Sequence, residues 1–139
     1  MNEDFVSFEL AKKLKEKGFS CKHPFAMYNE SGDFCELFTS ADVDYSVKTS
    51  FGYFRHVYDY DDFGPEDFMA PTIAQVLKWL REKHKFHIIV GLDMFLKYEW
   101  LIQRIDRKEA YLSSHFNNNR DTYEQAALAG IEYVLDKLL

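Results

Sequence analysis

The stretch that most constrains the fold is residues 69–94, Met-Ala-Pro-Thr-Ile-Ala-Gln-Val-Leu-Lys-Trp-Leu-Arg-Glu-Lys-His-Lys-Phe-His-Ile-Ile-Val-Gly-Leu-Asp-Met. Thr72 and Gln75 have the spacing of a capping box, and Pro71 stands just before the cap, where a missing backbone N–H does no harm. Ile73, Val76, Leu77 and Leu80 recur at the helical period, with Trp79 beside that stripe and Lys78, Arg81, Glu82 and Lys83 largely off it. Ile88-Ile89-Val90 follows at once and is too short for another helix, so residues 87–94 read as a strand. A helix that leads into a buried strand without a linker commits both to one core. The remaining segments must pack on that unit.

A chain of 139 residues has the size of one ordinary domain, one that buries roughly 68% of the surface its unfolded form exposes. No apolar run approaches the roughly 20 residues of a membrane span. The acidic start Met1-Asn2-Glu3-Asp4 lacks the basic opening of a signal peptide, so the expected location is cytoplasmic. Cys21 and Cys35 are the only cysteines, too few for a disulfide framework, and read as thiols in part buried. The net charge is −6, unevenly spread: residues 1–69 hold 7 cationic and 14 anionic side chains, residues 70–139 hold 10 and 9. That balance works against nucleic-acid binding, which needs cations facing phosphate.

The first helix should start near Asp4 or Ser7 and end at Lys17, with Leu10, Ala11 and Leu14 on its apolar face and Gly18 at a left-handed C-terminal cap. Its lysines (Lys12, Lys13, Lys15, Lys17) read as a solvated face broken by Glu9 and Glu16, with too small an aliphatic side for a membrane surface. Residues 24–28 and 34–38 read as a hairpin around the turn 29–33. A strand is expected over 50–58 from alternation and β-propensity, then a loop over 59–65. Further strands are expected over 98–105 and 110–116, the former joined to 87–94 through Asp93-Met94-Phe95-Leu96-Lys97. A last helix opens on Thr122 and Gln125 or on Asp121 and Glu124, with Ala127, Ile131, Val134, Leu135 and Leu138 on its buried side. Ala126, Ala127, Ala129 and Gly130 form a small-residue patch that invites close backbone approach, against the sheet or the second helix. The expected whole is a single α+β domain over 1–139, mainly antiparallel, with helices packed on one face. Its second half runs helix–strand–strand–strand–helix.

Four constellations bear on chemistry. Asp59-Tyr60-Asp61-Asp62-Phe63-Gly64 has the look of a calcium loop, but Phe63 and Ala70 stand where ligands five and twelve belong. Cys21, His23 and Cys35 could share a hairpin without supplying a fourth zinc ligand. His84, His87 and His115, with Asp93 and Glu99, are the candidates for acid–base work, and no nucleophile elbow or phosphate loop accompanies them. The second-half topology resembles double-stranded RNA-binding domains, yet the last helix begins Arg120-Asp121-Thr122-Tyr123-Glu124 without that family's basic cluster. No cofactor or metal is expected.

Ala70-Pro71-Thr72 leading into Trp79-Leu80-Arg81-Glu82-Lys83-His84, and the final Thr122-Tyr123-Glu124-Gln125-Ala126-Ala127-Leu128-Ala129-Gly130-Ile131-Glu132, resemble a group of small uncharacterised proteins of gut-bacterial genomes. Their genes often lie near phage or mobile-element genes, and the resemblance implies no activity. From the residues themselves the expected function is a non-enzymatic protein-binding or adaptor domain, self-associating or docking a protein partner, with no membrane role. The expected interaction surface is the aromatic and acidic set Tyr53, Tyr58, Asp59, Tyr60, Asp61, Asp62 and Phe63. The alternatives are a small enzyme or nucleic-acid effector using His84, His87 or His115, and a DNA-mimic inhibitor built on the acidic first half.

Overall fold

Ser7 opens the first helix: its Oγ accepts from Leu10 N at 3.2 Å, satisfying one of the backbone donors that a helix start leaves without a carbonyl. The helix, α1, spans Phe8–Glu16. Its end is a Schellman arrangement, with Phe19 N donating to Leu14 O (2.9 Å) and Gly18 N to Lys15 O (3.1 Å). Gly18 sits at φ 82°, a conformation a side chain would oppose. In this computed structural model the described residues are 4–21, 24–37, 46–49, 54–56, 66–106 and 119–139. They belong to two compact units, Met1–Thr72 and Ile73–Leu139.

The first unit pairs α1 with a five-stranded antiparallel sheet. Its strands are β1 (Ala26–Tyr28), β2 (Phe34–Leu37), β3 (Ser46–Thr49), β4 (Phe54–His56) and β5 (Phe68–Met69), in the order β4-β3-β2-β1-β5. The β1–β2 hairpin has the expected turn. Asn29 Oδ1 accepts from Ser31 N and Asp33 N, each at 2.9 Å, and holds the chain reversal shut. Register decides which side chains share a face. Phe34, Tyr28 and Phe68 lie opposite one another across β2, β1 and β5. Phe5 and Phe8 cap that row, Phe5 edge-on to Phe34 at 5.2 Å and Phe8 against Tyr28 and Phe68 at 5.5 Å each. Tyr28 donates its hydroxyl to Val6 O at 2.6 Å, and burial pushes its pKa up to about 12. The other face carries Cys35, Met27 and Met69 in a second row. Cys21 Sγ lies 3.9 Å from Met69 Sδ, and neither cysteine is in a disulfide. Of the strand expected over 50–58, β4 is the described part, and β3, which was not expected, precedes that span. Four-residue β3 carries a single aliphatic side chain, Val47, so its place comes from pairing on both edges rather than from a sequence period.

The second unit begins with α2 (Ile73–His84), which buries Ile73, Val76, Leu77, Trp79 and Leu80 as the periodicity requires. Lys85 alone joins it to β6 (Phe86–Leu92), and it does so at φ 62°. β6 pairs in full register with β7 (Tyr98–Arg104). One face of this hairpin holds Phe86, Ile88, Trp100 and Ile102, all buried. α3 (Tyr123–Tyr133) packs against both strands, and α2 against β6 and α3, so the two helices share that face. Thr122 Oγ1 accepts from Gln125 N at 3.1 Å, while Gln125 Oε1 accepts from Asp121 N at 3.2 Å, one residue upstream of the usual capping-box partner. From Val134 to Leu138 the helix widens, and Leu139 N reaches back to Val134 O at 3.0 Å, a π-type step. The third expected strand, 110–116, lies outside the described residues.

Gly130 is where α3 meets the hairpin. A Cβ there would stand 2.9 Å from Ile88 Cγ2 and 3.4 Å from Trp100 Cβ. Helix propensity alone favours alanine at a helix interior by about 1 kcal/mol, but overpacking a tight contact costs about 1–3 kcal/mol. Ile88 Cγ2 sits on a branched carbon of a buried strand residue and has little room to retreat. Gly130→Ala is therefore expected to lower the melting temperature in calorimetry, and a rise would show that the approach is looser than this geometry.

Candidate functional site: the tip of the β6–β7 hairpin

The strand expected over 87–94 stops at Leu92, because Asp93 turns the chain. Its Oδ1 accepts from Phe95 N (2.7 Å) and Lys97 N (3.0 Å), an Asx turn extended by one further donor. Asp93 N donates to Lys97 O at 2.8 Å and Leu96 N to Asp93 O at 3.2 Å. Three residues, Met94, Phe95 and Leu96, remain to cross between the strands. The third of them takes φ 62°, as three-residue hairpin loops demand. Glycine is the usual occupant of that position. A branched, bulky Leu there costs on the order of 1 kcal/mol in backbone strain.

Residues 119–123 fasten this tip from the side. Asn119 Nδ2 donates to Asp93 Oδ2, and Lys97 Nζ is bonded and ion-paired to Asp121 Oδ1. Tyr98 and Arg120 exchange backbone hydrogen bonds of 2.8 and 2.7 Å, so Arg120 occupies the outer edge of β7 at its first residue. The Lys97 ammonium holds the Asp121 carboxyl below its ordinary range, first through the hydrogen bond and then through charge.

On this fixed frame the three loop side chains face water: Met94 is 86%, Phe95 74% and Leu96 76% exposed. Leu92 and Tyr123 are about half exposed, and Tyr123 meets Tyr98, the first residue of β7, edge-on at 6.3 Å. Single exposed apolar residues are ordinary, and Phe25 and Ile105 are of that kind. A contiguous run on a locked protrusion is not, and such patches mark interaction sites.

The sequence pointed elsewhere. Tyr53, Tyr58, Asp59, Tyr60, Asp61, Asp62 and Phe63 lie outside the described residues, as do His115, Lys22 and His23. His84 closes α2 with its ring edge-on to Trp79 at 4.6 Å. Desolvation, followed by the charge of Lys83, pushes its pKa down. His87 points to the sheet face opposite Ile88. Among the described residues neither His84 Nε2 nor His87 Nδ1 has a hydrogen-bond partner, though both atoms are shut off from solvent. Within the same residues no group of three or more His, Cys, Asp or Glu side chains is placed to hold a metal ion. The tip was not singled out because Asp93-Met94-Phe95-Leu96-Lys97 reads only as a connection between strands, and apolar residues in a connection do not say whether water or protein meets them. The signal that could have found it is Asp93, an Asx-turn former standing before three apolar residues between two strands of equal length.

Two measurements check this arrangement. Leu96→Gly is expected to stabilise the protein by about 0.5–1 kcal/mol through relief of the left-handed strain, whereas Asp93→Ala should lower stability by about 1–2 kcal/mol through loss of its hydrogen bonds. Equal melting temperatures for the two variants would contradict the locked loop. For His84, a folded pKa below the unfolded value means its contribution is present above pH ~6.5 and fades as pH falls through the lower folded value. Across that window the wild type should lose more stability than His84→Gln. No protein-family model, curated protein or solved structure matches the chain, so the case for this site rests on its geometry.

Proposed function

We propose that the protein is a non-enzymatic binding module that docks on another protein through Met94, Phe95 and Leu96. What supports this reading is one observation: three adjacent large apolar side chains are held in water by a loop whose backbone is bonded at both ends and strained at Leu96. Folding gains nothing from their exposure. Burying such side chains yields about 1.5–3 kcal/mol each, so the tip can supply on the order of 6 kcal/mol before the cost of association. That suits an anchor rather than a whole interface. The cellular setting proposed is that of the gut-bacterial, mobile-element-associated proteins the sequence resembles.

A catalytic role for His84 and His87 has weaker support. An acid–base imidazole works best when a hydrogen-bonding partner orients it, and the ring neighbour of His84 is Trp79.

The test is comparative capture with wild-type and Phe95→Asp baits, followed by affinity measurement on the protein recovered. Loss of one buried aromatic anchor should weaken binding about 30-fold or more, with the melting temperature unchanged because Phe95 is not part of the core. Equal affinity for both baits would remove the tip from the function.

A further inference from the structure

We infer that the first unit binds a Cu(I) ion through Cys21, Met69 and Met27. Met27 stands opposite Cys35 on one side and Met69 on the other, so these three share a sheet face. Cys21 Sγ donates to Met69 Sδ at 3.9 Å and brings a fourth sulfur to that row. Sulfur side chains are ordinary fillers of a core, but this row differs in two respects. It is closed at one end, where Met27 is 4% and Cys35 2% exposed. At the other end Cys21 and Met69 are only half-buried, which leaves an ion a way in. The row also aims two donor atoms at one point. With metal–sulfur bonds of about 2.3 Å, ligands 3.9 Å apart subtend roughly 116° at the ion, close to the angle of a trigonal site. Met27 is the direct cross-strand neighbour of Met69, and its long, flexible side chain suits the third corner. Cys35 turns its Sγ toward Asp33 O, 3.9 Å away, and stays outside the ligand set.

Charge and softness select the ion. The metal takes the place of the Cys21 thiol proton: one S–H bond breaks, one Cu–S bond forms, the proton leaves to solvent, and copper enters and stays as Cu(I). One thiolate cancels one positive charge, so the occupied site is neutral, as a largely buried site requires. Zn(II) would keep an unbalanced charge there, and it takes thiolate, imidazole and carboxylate ligands, whereas thioethers suit Cu(I). This site lies in the first unit and is independent of the hairpin tip in the second.

Anaerobic titration of the intact chain with Cu(I), in competition with the chelator bicinchoninate, tests the inference. The wild type should withdraw one equivalent of copper, and bound copper should shield Cys21 from alkylation. Met69→Leu and Met27→Leu keep side-chain volume and so the fold, and each should lower the affinity at least about tenfold. Cys21→Ser should abolish binding, and Cu(I) should raise the melting temperature of the wild type but not of this variant. A wild type that leaves all the copper with the chelator overturns the inference. So does binding that Cys21→Ser preserves, which would place the ion on other sulfurs. Binding that needs Cys21 but is unchanged in both leucine variants overturns it as well, as an isolated thiolate. Zn(II) held as tightly as Cu(I) would contradict the soft ligand set.

Discussion

Close approach of α3 to the β6–β7 hairpin is the constraint from which the second unit follows. With Gly130 over Ile88 and Trp100, the helix lies nearer the sheet than a side chain would permit. That proximity shuts Ile131, Val134 and Leu135 into the interior and sets the direction in which α3 starts. Its start matters because residues 119–123, just ahead of and at the first turn, carry the groups that brace the hairpin's far end. Packing at one end of the unit thus supports an arrangement of polar groups at the other. The core is apolar and indifferent to direction; the polar frame supplies direction and no burial.

Against that background the hairpin tip is a local conflict. A sequence that specifies its fold keeps propensity, pattern and exposure in agreement, and departures from agreement tend to mark functional positions. Two departures coincide here. Leu96 adopts a backbone conformation suited to glycine, and it is one of three adjacent large apolar side chains that face water. Lys85 has the same left-handed backbone but is polar and follows directly on a helix end, where left-handed residues are common. Strain at Lys85 has a structural purpose, whereas at Leu96 the strain and the exposure together call for a functional one.

Much of the fold was legible from the residues. Ser7, Gly18, the stripe on α2, the Asn29–Asp33 turn and the Gly130 patch each carry a local physical signal, and each is found where that signal places it. The α+β class follows from them. What escaped did so for two causes. β3 and two-residue β5 are too short or too polar to show a period, and their places come from partners far away in sequence. The tip escaped for the opposite reason. Its residues are strongly apolar, and an alternating or continuous apolar run does not say whether water or protein will meet it. Only the turn made by the Asp93 side chain separates the end of a strand from the start of a protrusion.

Lys85 has a consequence of its own. With a single residue between α2 and β6, the connection holds no slack, and side chains on a strand alternate faces with every residue. One added residue at this joint would exchange inner for outer all along β6, turning Ile88 outward and His87 in. Length here is under a parity rule, much as a reading frame is. A substitution at this joint leaves inner and outer faces as they are, whereas a change of its length by one residue loses the interior.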